Sequence, residues 1–315
     1  MRLPKLGNIL RTGETPLERT AKHWAEQVSS DQVFWKGHPV IRRYMWRRLT
    51  GNPNKPDLQD LFERHFPGGV ECGLSLACGH GSLERQMLRR GWARTMHGFD
   101  LSAGAVENAR KLAAEDGMDD RVEYWVGNFN EPDLPDARYD AVFSYSASHH
   151  CAELERMFDA VRRTLKPDGL FVINEYMGPS QFQFPQSQID VINEILAILP
   201  AKYRLSINES KPDKPVYKER FHPIDTRDLE ARDPSEAIRS GEIRSVFGDY
   251  FERVDYRPYG GNLFQFLMSG IVGNFDPDDE SDTSLIEMIG MMEEKLEATG
   301  AFESDCALLV GRPLA

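Results

Sequence analysis

From about Val70 the chain alternates short apolar runs with amphipathic stretches, five times before Tyr176. The runs lie within "GLSLA", "TMHGFD", "VEYWVGN", "YDAVFSYS" and "GLFVINEY". Between them, helical segments repeat their apolar residues at 3.6-residue spacing, as Val106, Ala109, Leu112 and Ala113 do. Short apolar runs of this kind need cover on both faces, and a helix between consecutive runs makes parallel pairing the natural connection. The spacing predicts an α/β fold, a mostly parallel sheet with helices on both faces. Two later runs, "FERVDYRPY" and "DCALLVG", bring the strand count to seven.

Four regions follow. Residues 1–68 read as a helical extension, with helices over about 16–29, 39–49 and 58–65; residues 69–177 hold the alternating core. Residues 178–249 read as an insertion after the fifth strand, with a helix over about 186–199 whose stripe is Ile189, Ile192, Ile195 and Leu196. Residues 250–315 complete the sheet, with an acidic loop "DPDDESD" before a helix over about 285–298.

Charge and composition exclude several partners. Lys and Arg total 38 against 50 Asp and Glu, a formal charge of −12, which repels nucleic acid. Arg42, Arg43, Arg47 and Arg48 on the second helix are the one basic patch, either a solvated face or a source of an arginine for an anionic substrate. No apolar stretch reaches the ~18–20 residues of a membrane span, and "MRLPKLGNIL" lacks the apolar core of a signal peptide, so the expectation is a cytoplasmic protein without membrane partners. Cys72, Cys78, Cys151 and Cys306 form no CxxC pair and read as reduced thiols, with no metal site expected.

The first apolar run enters a glycine turn and then a helix, "LSLACGHGSLER". Such a turn presents unpaired N–H groups and lets a ligand approach the backbone. The dinucleotide pattern G-x-G-x-x-G would place glycine at position 84, where this chain has Glu84, so a pyrophosphate is disfavoured and an NAD-dependent oxidoreductase with it. A nucleoside cofactor without phosphate fits better. Asp100 ends the second run, where a carboxylate can accept from both ribose hydroxyls.

Taken with "GFDLS", "YWVGNFN", "FSYSASHH" and "LKPDGLFVINEY", this turn resembles the class I S-adenosylmethionine (SAM)-dependent methyltransferases, especially the ubiquinone-biosynthesis type of small-molecule enzyme. The resemblance covers about 70–176 and implies a Rossmann-like fold, SAM as cofactor and S-adenosylhomocysteine as product. It implies that Ala77, Gly79 and Gly81 line the methionine part, Asp100 with Leu101 the ribose and Asn128 with Phe129 the adenine, with Ser144 beside the cofactor at the end of strand four. Three positions depart from the family pattern. Ala77 replaces a glycine, a change that a negative φ accommodates; Ser75 replaces an acidic residue; Asn128 replaces aspartate. "NEYMGPSQFQ", "DPSEAIRSGEI" and "RPYGG" further resemble a bacterial subfamily of these enzymes.

Methyl transfer requires an acceptor held in line with the sulfonium methyl, and a hydroxyl acceptor gains from a general base. His149 and His150 follow the fourth strand at the edge where open α/β sheets bind substrates, and they are the candidate catalytic residues. Glu175, Tyr176 and Tyr259 are candidate substrate contacts, each with a structural hydrogen bond as the alternative. His222 reads as solvent-facing. The expected activity is methyl transfer to a small-molecule hydroxyl, on a sugar or secondary metabolite, beneath a lid formed by the N-terminal helices and the insertion. A SAM-binding scaffold without catalysis is the competing reading.

Overall fold

The computed structural model of this chain describes residues 15, 19–20, 34–211 and 213–314. The expected helix over 16–29 lies almost wholly outside the described residues. Seven strands form one sheet: β1 Val70–Leu76, β2 Ala93–Asp100, β3 Val122–Val126, β4 Tyr139–Tyr145, β5 Leu165–Tyr176, β6 Phe251–Gly260 and β7 Cys306–Pro313. Their order is β3-β2-β1-β4-β5-β7-β6. The first five run parallel, whereas β7 lies antiparallel between β5 and β6. This is the Rossmann-like sheet that the alternation predicts.

Eight helices of eight residues or more are described: α1 Pro39–Thr50, α2 Asp57–His65, α3 Ser82–Arg89, α4 Ala103–Glu115, α5 Leu154–Thr164, α6 Gln186–Ile198, α7 Ile243–Tyr250 and α8 Glu280–Ala298. Side chains of the central strands alternate between two cores, with Phe171 and Ile173 on one face of β5 and Val172 on the other. Apolar residues on both faces are the physical reason the runs read as continuous rather than alternating. One core takes Leu154, Phe158 and Val161 of α5 with Ile243 and Phe247 of α7. The other takes Phe62 of α2 and Met87 of α3, and extends to the insertion, where Ile189, Ile192, Ile195 and Leu196 are all buried.

Local capping signals match their elements. Ser102 accepts from Ala105 N at the start of α4, and Gly51 closes α1 at φ 79. The acidic loop is shorter than its sequence suggests: Asp279 caps α8 by accepting from Asp282 N, so its last residues form the first helical turn. The arginines of α1 do not form a plain solvated face. Arg48 pairs with Glu297 at 2.6 Å and Arg47 with Glu294, joining α1 to α8.

Two buried carboxyls tie the fold together in opposite ways. Glu293 of α8 accepts from Leu263 N at 2.8 Å, Gly261 N at 3.1 Å and Tyr44 Oη at 2.9 Å, fastening α1 and the turn after β6 to α8. A Cβ at Gly260 would sit 1.9 Å from Glu293 Oε1, which explains the glycines of "YGGN" as a structural turn. Glu84 stands in the first turn of α3, where the helix dipole favours it, yet its side chain points inward and is fully buried. Neither of its oxygens has a hydrogen-bond partner, and burial, with Asp100 nearby, pushes its pKa up to about 7 despite Arg85.

Two outcomes follow for stability. Glu293→Ala leaves several buried donors without an acceptor and should destabilise the chain by about 3 kcal/mol or more, read from urea unfolding; a change under 1 kcal/mol would contradict the clamp. Glu84 keeps in the folded chain a proton that the unfolded chain sheds at its ordinary value, so its contribution to stability falls as pH rises from about 4.5 to about 7. Glu84→Gln should therefore raise the melting temperature of the cofactor-free protein at pH 8 and change it little at pH 4.5. An equal shift at both pH values would show that the carboxyl stays ionised.

Candidate active site

The strand order reverses at β1, whose neighbours β2 and β4 leave in opposite directions. Loops at the carboxyl ends of these strands splay apart there, which creates the crevice that open α/β sheets use for ligands. The glycine turn follows β1, and the His149–His150 turn follows β4.

The glycine turn is strained. Ala77, Gly79 and Gly81 all take left-handed φ values, 48, 53 and 70. For Ala77 this overturns the expectation of a negative φ: backbone bonds from Cys78 N to Phe99 O and from Gly79 N to Asp100 Oδ2, both 2.9 Å, pin the turn against β2. An L-residue in that region costs about 1–2 kcal/mol. The two glycines differ in purpose. A Cβ on Gly79 would meet nothing within 4 Å, so its face is open to a ligand, whereas one on Gly81 would sit 2.2 Å from Tyr124 Oη. Gly81 is required by protein packing, whereas at Gly79 only the left-handed φ calls for glycine.

Asp100 accepts one backbone N–H on each carboxylate oxygen, Gly79 N on Oδ2 and Ser102 N on Oδ1 at 2.8 Å. Each oxygen keeps a further lone pair for a ligand hydroxyl. Leu101 beside it is half-buried. Asn128 Oδ1 accepts from Asn130 N at 3.0 Å, so the oxygen assigned to adenine also closes its own turn, while Phe129 packs partly buried beside it. Asn130, which drew no attention in the sequence, accepts from Ala152 N and Glu153 N and anchors this loop to the start of α5.

The second loop is organised by Glu175. This fully buried carboxylate accepts from Ala147 N, from Ser148 N at 2.6 Å and from Ser144 Oγ at 3.3 Å on one oxygen. Its other oxygen lies 2.7 Å from His149 Nδ1. A carboxylate only accepts, so Nδ1 carries the proton and the His149 lone pair sits on Nε2. Burial disfavours charge on His149, but Glu175 outweighs it and holds the imidazole pKa above its ordinary value. Glu175 thus positions His149 rather than presenting itself to a substrate.

Three further candidates are engaged in hydrogen bonds within the protein. Ser144 is fully buried and hydrogen-bonded to Ser148 Oγ at 2.6 Å, within the Glu175 network. Tyr176 donates to Pro179 O at 3.0 Å and packs against Phe182. Tyr259, 1% exposed, donates to Asn174 Oδ1 at 2.7 Å and accepts from Lys36 Nζ at 3.1 Å. His222 is exposed, in agreement with its reading.

Residues of the insertion complete the site. Ile238 N donates to His149 O, and Glu236 Oε1 stands 3.7 Å from His149 Nε2. His150 Nδ1 lies 3.0 Å from Ser235 Oγ, whose hydrogen goes to Asp233 Oδ1 at 2.7 Å. Thr20 also donates to Asp233 Oδ1, at 3.0 Å, so the N-terminal region reaches the same segment. The run "DPSEAIRSGEI" had no role in the sequence reading beyond its resemblance, because nothing local indicates that residues 233–236 fold back over a turn some 85 positions earlier. A buried orphan carboxyl at Glu84, an open cradle at Gly79 and spare acceptors on Asp100 fit a ligand with a ribose and a cationic amino-acid tail.

A family model described as "Methyltransferase domain" matches residues 74–173. Sterol 24-C-methyltransferase ERG6A of Gibberella zeae is 27% identical over 292 residues, 83% of this chain and 72% of the relative. Sterol 24-C-methyltransferase ERG6B of the same organism is 30% identical over 104 residues, 33% of this chain and 27% of the relative, so that alignment spans about a quarter of the relative's length. Among solved structures, geranyl diphosphate C-methyltransferase from Streptomyces coelicolor A3(2) shares the fold, with a TM-score of 0.52, 12% identity and coverage of 96% of this chain and 100% of that one. Among the described residues no helix is long and apolar enough to cross a membrane. A methyltransferase domain thus spans residues 74–173 of this chain, and the glycine turn and Asp100 stand at the carboxyl edge of its sheet.

Proposed function

We propose that the chain transfers the methyl group of SAM to a hydroxyl of a small molecule, such as a sugar or secondary metabolite, held between the sheet edge and the insertion. The observation that carries this reading is the His149–Glu175 pair at 2.7 Å, in a buried turn at the carboxyl end of β4. SAM supplies an electrophilic methyl on its sulfonium. The Gly79 cradle and Asp100 hold the methionine and ribose parts, and the Glu84 carboxyl beside the turn answers the ammonium. His149 Nε2 takes the acceptor's proton as the oxygen attacks, and Glu175 stabilises the imidazolium that forms. Related proteins bear the names of sterol C-methyltransferases and a dimethylglycine N-methyltransferase. A base held this way favours an acceptor that must lose a proton.

Calorimetric titration with SAM, followed by detection of S-adenosylhomocysteine with a metabolite extract, tests the proposal. Asp100→Ala should weaken SAM by about 1.5–3 kcal/mol, the range for hydrogen bonds to a charged group. Wild-type affinity in that folded variant would remove Asp100 from the cofactor site. Once an acceptor is found, replacing His149 and His150 together by Ala should slow single-turnover methyl transfer by roughly 10²–10⁴-fold while SAM affinity stays within a few fold. An unchanged rate would assign the pair a structural role.

A further inference from the structure

We propose that His149, His150 and Glu236 form a binding site for one divalent transition-metal ion of the zinc class. One ligand atom from each of the three lies within 4.8 Å of the other two, the histidines buried and Glu236 partly so. Both imidazoles are fixed in the tautomer that suits a metal. His149 gives its Nδ1 proton to Glu175. At His150 the partner is Ser235 Oγ, and because the serine hydrogen is already directed to Asp233, the oxygen accepts and His150 Nδ1 carries the proton. Each ring therefore has its lone pair on Nε2, and Glu236 adds a carboxylate facing His149 Nε2 at 3.7 Å.

The charge balance points the same way. Glu175, Asp233 and Glu236 are three carboxyls packed around two imidazoles. Ligands of a tetrahedral zinc with bonds of ~2.05 Å stand about 3.3 Å apart, so binding needs a contraction of about 0.4 Å at the His149–Glu236 edge and of up to about 1.5 Å at the others. Two imidazoles and one carboxylate favour zinc, iron or cobalt over magnesium and leave coordination positions open. Glu175 and the Ser235–Asp233 pair supply the outer acceptors that orient metal-bound histidines.

The inference bears on the same turn as the methyl-transfer reading but does not rest on it. An imidazole whose Nε2 holds a cation takes no proton, so in the metal-loaded protein the ion itself would lower the pKa of a bound acceptor oxygen. The test is a titration of chelator-stripped full-length protein with Co²⁺, followed by its visible d–d absorption, and with Zn²⁺ by calorimetry. Wild type should bind one equivalent, Glu236→Gln should lose at least 10-fold in affinity, and Glu175→Gln should lose about 10–100-fold. Cys72→Ser, remote from the cluster, should bind as wild type does. No binding by wild type, or equal binding by Glu236→Gln with an unchanged melting curve, overturns the site. SAM titrations on the same preparations separate the two readings: SAM binding without metal binding defeats only the metal site, metal binding without SAM binding defeats the methyl-transfer reading, and binding of both keeps methyl transfer but removes His149 as its general base.

Discussion

The carboxyl edge of this sheet depends on one buried carboxylate. Glu175 ends β5, yet nearly all of its hydrogen bonds go to the turn after β4, at Ala147, Ser148 and Ser144, with His149 beyond. A carboxylate without solvent needs several donors to remain ionised, and two backbone N–H groups, a hydroxyl and an imidazole provide them. The arrangement constrains both partners. The turn is held because Ala147 N and Ser148 N both point to one carboxylate oxygen, and the histidine donates from Nδ1 because the carboxylate beside it cannot donate.

Strain accompanies this order. Ala77, Ser146 and Ala237 take left-handed φ values of 48, 51 and 50, and they belong to the three segments that converge on the edge: the glycine turn, the His149 turn and the insertion. Each is pinned by backbone bonds to another element, Ser146 N to Asn174 O and Gln181 N to Ala237 O among them. Unfavourable backbone persists where surrounding contacts over-determine it, and such positions gather at functional sites. Gln181 and Phe182 of the insertion, at φ 51 and 56, add to this group, and Ala137, just before β4 at the opposite end of the sheet, takes φ 48.

Much of the fold was legible because its signals are local. Apolar runs, the Ser102 cap and glycine after α3 each announce an element within a few residues. Asp100 was legible as well, since its place at a strand end follows from counting. What escaped the sequence was long-range. Glu84 was legible as the residue standing where a dinucleotide turn needs glycine, but not as a buried carboxyl, because tertiary packing turns its side chain inward. Tyr176 and Tyr259 looked like site residues because they sit at strand ends, and their hydroxyls found partners that only the folded chain supplies. Asp233, Ser235 and Glu236 lie in a region without periodicity, so their meeting with the histidines has no trace in spacing.

The order of the strands has a consequence for how the chain acquires this shape. β7 comes after the other six in sequence but lies within the sheet, pairing Tyr176 with Cys306 on one side and Gly260 with Cys306 on the other. Until it arrives, β5 has one open edge and β6 has no neighbour at all, so the carboxyl that organises the His149 turn stands on a sheet margin. Unpaired strand edges attract other chains, and pairings between distant residues form slowly. During synthesis the methyltransferase core would therefore remain an open half-sheet, exposed to misassociation, until its last strand closes it from within.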